Sequence, residues 1–420
     1  MPFKQVEPGL WLGSLTPETG ALAQLWADHG ARIIVAHPTY NNGPTVGAEL
    51  RGGIAAAAKN FGGRPVCFVV TDGTWTEASG DRSTLRAAEG AAREALAALP
   101  ELERPLVQVV LTPYEGYGGD RTPGKGSALK LLFDEMGAWH GADLLILLDG
   151  DLRNDMAAWQ GVFAAVEAEH GERHGVRPLF VTARYARHFI DASLTRFVVG
   201  PLTTLLGRYV PGGISGDIVL SAGAVAHERQ SAWTEARRKY GTDISTTFDN
   251  IAHNETVIYE VYLGAKLHDI TDEAKLSVMP GEVIGAALER LRYWEQRGGL
   301  VRERLQPDAA LEPLEVWGPE RTGIHFIDPG RSDMFDVDAK VRTLLDRYPE
   351  FAPDIKLVLG DDGAALLEER RQDLAVAHMS GRGDREVSFL GMDRKRWTGV
   401  LHTAVARLLE GMDLEPIKRC

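Results

Sequence analysis

The chain has 420 residues, 44% hydrophobic and 25% charged, which is enough for two or three domains and a large core. Its 46 lysines and arginines against 59 aspartates and glutamates leave a net charge of −13, an argument against nucleic acid as a partner, because phosphate contacts need a basic surface. Two cysteines, Cys67 and Cys420, rule out a disulfide framework and a cysteine zinc cluster, and with no bilayer-length apolar run and no signal-peptide pattern, the cytoplasm is the expected compartment and membrane insertion is not expected.

Residues 17–29 read as a short helix, with Ala21, Leu22, Leu25 and Trp26 at helical spacing, propping the first domain. Strand-turn-helix units follow. A strand at 31–36 closes in the loop His37-Pro38-Thr39-Tyr40-Asn41-Asn42-Gly43, and a strand at 65–70 closes in Thr71-Asp72-Gly73-Thr74. Residues 45–60 and 82–99 are helix-prone, and 106–111 read as a third strand. Strands and helices alternating at this length predict parallel βαβ units. Loops rich in Asp, Asn and Gly would then line one edge of one sheet, where Asp72 is a candidate for the base or ribose of a nucleotide. Turn formation is the alternative role for Asp72.

The segment Gly118 to Lys130 holds Pro123-Gly-Lys-Gly126, with a helix predicted over 127–140. From Gly119 to Lys125 it fits the G-x-x-x-x-G-K loop of P-loop NTPases and kinases, which makes that class the rival reading. Against it, Gly126 stands where that loop needs a hydroxyl for Mg²⁺, Pro123 is awkward among phosphate-wrapping amides, and at least two strands precede the loop. Lys125 at a helix start still offers a positive charge and free amides to a phosphate.

The five apolar residues 144–148 predict a strand buried on both faces, and it ends abruptly in Asp149-Gly150-Asp151. Two carboxylates with no base beside them repel each other unless a cation sits nearby, and a hard divalent ion such as Mg²⁺ or Mn²⁺ suits oxygen ligands and phosphate oxygens. A solvated Asp-Gly turn is the plainer alternative.

A helix at 159–170 and a strand at 179–183 come next. Residues 184–206 carry Arg187, Asp191 and Thr195 on one face of a predicted helix. The glycine-dense loop Val210 to Asp217 requires close backbone approach or positive φ. Tyr240-Gly-Thr-Asp243 opens a helix with Asp243 near its N-terminus, where capping alone would explain the carboxylate. A strand at 257–263 leads into Gly264-Ala-Lys-Leu-His268, and a lone histidine there reads as structural. Helices are predicted at 283–296, 337–348, 363–375 and 394–412, separated by a Pro- and Gly-punctuated break at 300–331.

Five segments in this order resemble one family: Pro-Gly-Lys-Gly at 123–126, Asp-Gly-Asp at 149–151, Ser-Gly-Asp at 215–217, Tyr-Gly-Thr-Asp at 240–243 and Leu-Gly-Ala-Lys-Leu-His at 263–268. The family is that of the retaining, GT-A-type glycosyltransferases that include mannosylglycerate synthase and glucosyl-3-phosphoglycerate synthase. Asp191 to Thr195, with Arg187 before it, looks like the acceptor segment of the former. The resemblance implies an α/β fold with a Rossmann-like, mixed but mostly parallel sheet over residues 31–285. An N-terminal helical extension at 1–30 and a mostly helical region at 286–420 flank it, the latter covering the acceptor side or making a homodimer contact.

Carried over residue by residue, the resemblance implies a divalent cation, Mg²⁺ or Mn²⁺, held by Asp149, Asp151 and His268. A GDP-mannose- or UDP-glucose-type donor would contact Pro38, Asn42, Asp72, Lys125, Asp149 and Gly213. Lys125, Asp217 and Asp243 would form the catalytic set, and Arg187 and Thr195 would hold the carboxylate of a small acceptor such as glycerate. Asp217 stands where these enzymes have Glu, and Ser193 where the phosphoglycerate enzymes have Arg, which favours an unphosphorylated acid over 3-phosphoglycerate.

Overall fold

The computed structural model of the protein describes residues 3–13, 20–76, 79–118, 122–186, 195, 199–204, 206–208, 210, 212–268, 273–297 and 314–317. The strands are β1 (Phe3–Glu7), β2 (Leu10–Gly13), β3 (Ile33–Thr39), β4 (Val66–Asp72), β5 (Val107–Pro113), β6 (Leu144–Leu147), β7 (Leu179–Ala186), β8 (Ile218–Ser221), β9 (Val257–Ala265) and β10 (Glu315–Trp317). They form one sheet in the order β1-β2-β5-β4-β3-β6-β8-β7-β9-β10. Strand β1 pairs antiparallel with β2, and β8 pairs antiparallel with both β6 and β7; the other pairings are parallel. The sheet is therefore mixed and mostly parallel, as expected.

The helices are α1 (Ala21–His29), α2 (Gly43–Asn60), α3 (Ser83–Ala98), α4 (Lys125–Ala138), α5 (Met156–His174), α6 (Gly200–Thr204), α7 (Ala222–Gln230), α8 (Thr242–Ala252) and α9 (Glu273–Glu295). Alternate strand residues go to opposite faces. Ile33 and Val35 pack with Leu50 and Ile54 of α2 and Ala88 of α3, while Ile34 and Ala36 pack with Leu129 of α4 and Phe248 of α8. The result is a sheet covered on both faces, which is why the strands are continuous apolar runs. Each large apolar side chain so buried contributes roughly 1.5–3 kcal/mol.

Several sequence expectations change in detail. Residues 3–13, read without strands, form the β1–β2 hairpin, and β2 extends the sheet beside β5. The expected helix over 184–206 is not what forms at its ends: β7 runs on to Ala186 and α6 is confined to Gly200–Thr204. Helix α9 starts at Glu273 and not at residue 283, passing through Pro280-Gly281, a pair that reads as a boundary in isolation. Helix α1 props α4 as expected, and buried Glu135 of α4 accepts the N–H groups of Gly20 and Ala23 at its free N-terminus. Buried Cys67 behaves as a small hydrophobe, its thiol pushed up to about 12 by burial. The predicted helices at 337–348, 363–375 and 394–412 lie outside the described residues. No described helix is long and apolar enough to cross a membrane.

Candidate active site

Chain direction locates the site. From β3 the chain steps to β4 and β5 on one side, and β6 then returns to the other side of β3. The crevice beyond the carboxyl ends of β3 and β6 is the switch point where open α/β sheets bind ligands. Asp149 follows β6 at this point. Because β8 runs antiparallel to β6, with Ile218 opposite Leu147, its first residues come to the same edge and bring Asp217 there. Parallel β9 delivers Lys266 and His268 just beyond its own carboxyl end.

These elements converge on Asp149. Its two carboxylate oxygens accept from Lys125 Nζ at 2.8 Å and from Lys266 Nζ at 2.8 Å. Lys125 also reaches Asp243 Oδ2 at 3.1 Å, and Lys266 reaches Asp217 Oδ2 at 2.7 Å and the Ser215 carbonyl at 2.7 Å. Asp217 Oδ1 accepts the Asp149 backbone N–H at 3.0 Å, and the Tyr185 hydroxyl donates to its other oxygen. Burial alone would raise the Asp149 carboxyl, but the two ammonium groups outweigh it and hold Asp149 well below the usual carboxylate range. Burial opposes the charge on Lys125 in turn, and Asp149 and Asp243 outweigh it, holding Lys125 protonated. At Asp243 burial wins and the carboxyl is raised; its Oδ1 is buried without a partner among the described residues.

Asp151 lies beside this cluster. The backbone of Leu152 bridges to His268, and Arg153 N–H donates to the Leu267 carbonyl at 2.7 Å, which brings the turn after Asp151 against His268. Burial and the charge of Asp149 raise the Asp151 carboxyl, while Lys266 and His268 oppose them. Four carboxylates, Asp149, Asp151, Asp217 and Asp243, face two ammonium groups. Among the described residues the carboxyl groups outnumber the ammonium groups by two, and a hard divalent cation at Asp151 and His268 would favour their charged forms. Asp149 carries an ammonium group on each carboxylate oxygen, so its charge is balanced by Lys125 and Lys266 in this structure.

The expected donor residues fall into two groups. Asp72, at the end of β4, accepts from Thr39 Oγ1 at 3.1 Å and from Thr74 N and Oγ1 at 3.2 and 2.6 Å. Its Oδ2 is buried without a partner among the described residues, and burial raises its carboxyl. Pro38 pairs with Thr71 in the ladder, while the side chain of Asn42 accepts from Tyr40 N at 2.7 Å and lies against Gly150. A Cβ on Gly150 would stand 2.7 Å from Thr39 and 3.1 Å from Asn42, so the loops after β3 and β6 touch. Gly213 is buried against α8, its carbonyl accepting from Thr247 Oγ1 at 2.6 Å. Thr195 is partly buried, and Arg187 lies outside the described residues.

The P-loop reading meets a steric objection. Lys125 opens α4, and its ammonium is engaged by two carboxylates. A Cβ on Gly126 would sit 2.1 Å from the Arg237 carbonyl, so the hydroxyl residue that such a loop requires has no room.

Four working residues escaped the sequence pattern. Lys266 stands inside a segment already singled out, where a lysine straight after a buried strand was the available signal. Tyr185 stacks on Trp159 with ring centroids 5.5 Å apart, and Lys266 Nζ lies 5.2 Å from the Tyr185 ring centroid. Buried Glu49 of α2 accepts the Leu152 N–H at 2.9 Å and meets His37 Nδ1 at 3.0 Å, which fixes the turn that carries Asp151. Thr45 Oγ1, donating to the Gly150 carbonyl at 2.7 Å, fixes the same turn.

No family model matches the chain, and no curated protein matches it. Among solved structures, glucosyl-3-phosphoglycerate synthase from Mycobacterium tuberculosis in complex with Mg²⁺ and uridine-diphosphate is similar at 20% identity and a TM-score of 0.44, over 67% of this chain and 86% of that one. Mannosyl-3-phosphoglycerate synthase from Rubrobacter xylanophilus is similar at 19% identity and a TM-score of 0.42, over 68% and 81%.

Proposed function

We propose that this chain is a divalent-cation-dependent, retaining glycosyltransferase of GT-A type. It moves a hexose from a GDP-mannose- or UDP-glucose-type donor to a small hydroxy acid such as glycerate. The observation that carries this reading is the Lys125–Asp149–Lys266–Asp217 cluster at the switch-point crevice, with the further carboxyl groups of Asp243 and Asp151, and His268, beside it. Such a site suits a diphosphate with its counter-cation, and the buried carboxylate of Asp72 in the neighbouring loop suits a ribose or base.

Asp151 and His268 hold the ion in this proposal. When bound, it supplies positive charge to the departing diphosphate. Lys125 adds a fixed ammonium beside it, which is electrostatic stabilisation of developing charge. Asp243, with one oxygen tied to Lys125 and the other without a partner among the described residues, orients a sugar hydroxyl, and Asp217 holds Lys266 and the backbone of Asp149 in place. The acceptor hydroxyl attacks the anomeric carbon as the bond to the phosphate oxygen breaks, and its proton passes to that oxygen. Atoms then balance as glycoside plus nucleoside diphosphate. Arg187, whose planar guanidinium suits a carboxylate, and Thr195 hold the acceptor. Ser193 adds no second cation for a phosphorylated one.

The test is an assay of the full chain with GDP-mannose and UDP-glucose, Mg²⁺ or Mn²⁺, and glycerate or 3-phosphoglycerate, following nucleoside diphosphate and glycoside together. Acceptor-dependent glycoside formation, lost in Asp151→Asn and His268→Ala with the fold retained, is expected. Hydrolysis of ATP or GTP with no hexose transfer from any donor would overturn the reading in favour of the NTPase.

A further inference from the structure

A second group of metal-ligating side chains lies away from the crevice, where α7, the end of α8 and the start of β9 meet. An imidazole nitrogen of His227, one of His253 and a carboxylate oxygen of Glu255 lie within 4.8 Å of one another. The rings of His227 and His253 stack with centroids 4.0 Å apart and an interplanar angle of 18°. His227 Nε2 is 3.0 Å from Glu255 Oε1.

The surroundings fix the backbone around these three groups, and a turn of one stacked ring brings both in-plane nitrogen lone pairs toward a single ion. His253 caps α8, its N–H donating to the Asp249 carbonyl at 3.0 Å, and its ring meets the edge of Trp294 from α9 at 5.1 Å. Trp294 is itself anchored through Nε1 to Asp249 Oδ1 at 2.8 Å. The turn that carries Glu255 is held by Arg177, which donates to the carbonyls of Glu255 at 3.0 Å and Asn254 at 3.3 Å. The nearby carboxylates of Glu228 and Asp249 are committed to Arg237 and Arg290, so they do not compete for an ion.

We propose that His227, His253 and Glu255 form a second metal site, one that takes a borderline-soft ion of the Zn²⁺ type. Two nitrogens and one carboxylate oxygen are the ligand types Zn²⁺ prefers, whereas Mg²⁺ seeks oxygen. The partly exposed position leaves room for water as a further ligand. An ion here ties α7 to the turn between α8, which begins beside Asp243, and β9, which ends just before Lys266. The site is thus a clip on the elements that carry the crevice residues, and it does not depend on what reaction the crevice performs.

The experiment uses the full chain stripped of metal, with the crevice ion site disabled by Asp151→Asn so that the two sites are not confused. Zn²⁺ is titrated by calorimetry, and Co²⁺ is followed by its visible ligand-field absorption. Saturable binding of one ion, an intense Co²⁺ band displaced by Zn²⁺, and a melting temperature raised by Zn²⁺ but not by equimolar Mg²⁺ are expected. His227→Gln and His253→Gln should each weaken binding at least about 10–100-fold. The Co²⁺ spectrum of the parent protein needs no further variant, so a poorly folding substitution does not leave the question open. Absence of saturable Zn²⁺ binding overturns the proposal, as does a Co²⁺ band that survives in the double variant, which would put the ion elsewhere in the chain.

Discussion

Gly216 shows how little room surrounds the central carboxylate. Its φ is +81°, a left-handed conformation that side chains rarely adopt, and a Cβ there would stand 2.1 Å from Asp149 Oδ2. That oxygen is the one Lys266 holds. Gly216→Ala is therefore expected to strain the backbone and displace Asp149 from its lysine, lowering stability by about 1–3 kcal/mol. Hexose transfer should fall about 100-fold, the scale of a misplacement near 1 Å. Urea unfolding and steady-state rates check both parts, and an unimpaired Gly216→Ala would show that the Lys266 contact is dispensable. Asp149 also carries a pH consequence. Its folded-state pKa lies below the unfolded one, so its stabilising contribution is present above the unfolded value near ~3.9 and fades only as pH falls towards the depressed one. Acid inactivation at milder pH would have to come from other groups.

One buried network joins α7, α8 and α9. Asp249 of α8 accepts from Arg237 Nη1 at 2.9 Å, from Ser231 Oγ at 2.5 Å and from Trp294 Nε1 at 2.8 Å, and pairs with Arg290 of α9. Glu228 of α7 pairs with Arg237 and accepts from Asn250 at 2.8 Å. All four charged side chains are fully or almost fully buried. Two carboxylates balance two guanidiniums, an arrangement of little net worth intact but harmful to break, since the survivor is left buried and unpaired. Asp249→Ala strands Arg290 and leaves Arg237 with Glu228 alone, and a loss of about 3–5 kcal/mol is expected from urea midpoints. A loss under about 1 kcal/mol would mean that water reaches the arginines and repairs the gap.

At the scale of the molecule, the β1–β2 hairpin finishes one margin of the sheet. Leu10, Trp11 and Leu12 pair with Val109, Val110 and Leu111 of β5, while Phe3 and Leu10 enter the two cores on opposite faces. Deleting residues 1–13 would bare the edge of a buried parallel strand, a template for pairing with another chain. The truncated protein is expected to melt lower and to elute partly as aggregate on size exclusion. An unchanged melting temperature and a single unaggregated peak would show that the hairpin is an ornament on a sheet already complete.

Much of the fold was readable because its determinants are local. The strands β3 to β6 are continuous apolar runs and the intervening helices are Ala- and Leu-rich, so each element carries its own period and its own turn residues. Asp149, Asp151, Lys125 and Asp72 were readable for a related reason: each stands at the end of a strand or the start of a helix, where parallel chain direction alone sends it to one edge. What the tertiary structure decided are pairings between distant segments. Strand β8 is four residues after a glycine-rich loop, and its antiparallel insertion between β6 and β7 brings Asp217 to Asp149. The same edge receives Lys266 from β9, 117 residues along the chain from the carboxylate it neutralises. Local sequence specifies which way a strand faces, but which strand lies beside it depends on burying both faces of the whole sheet at once. The partners of Asp149 follow from that global condition.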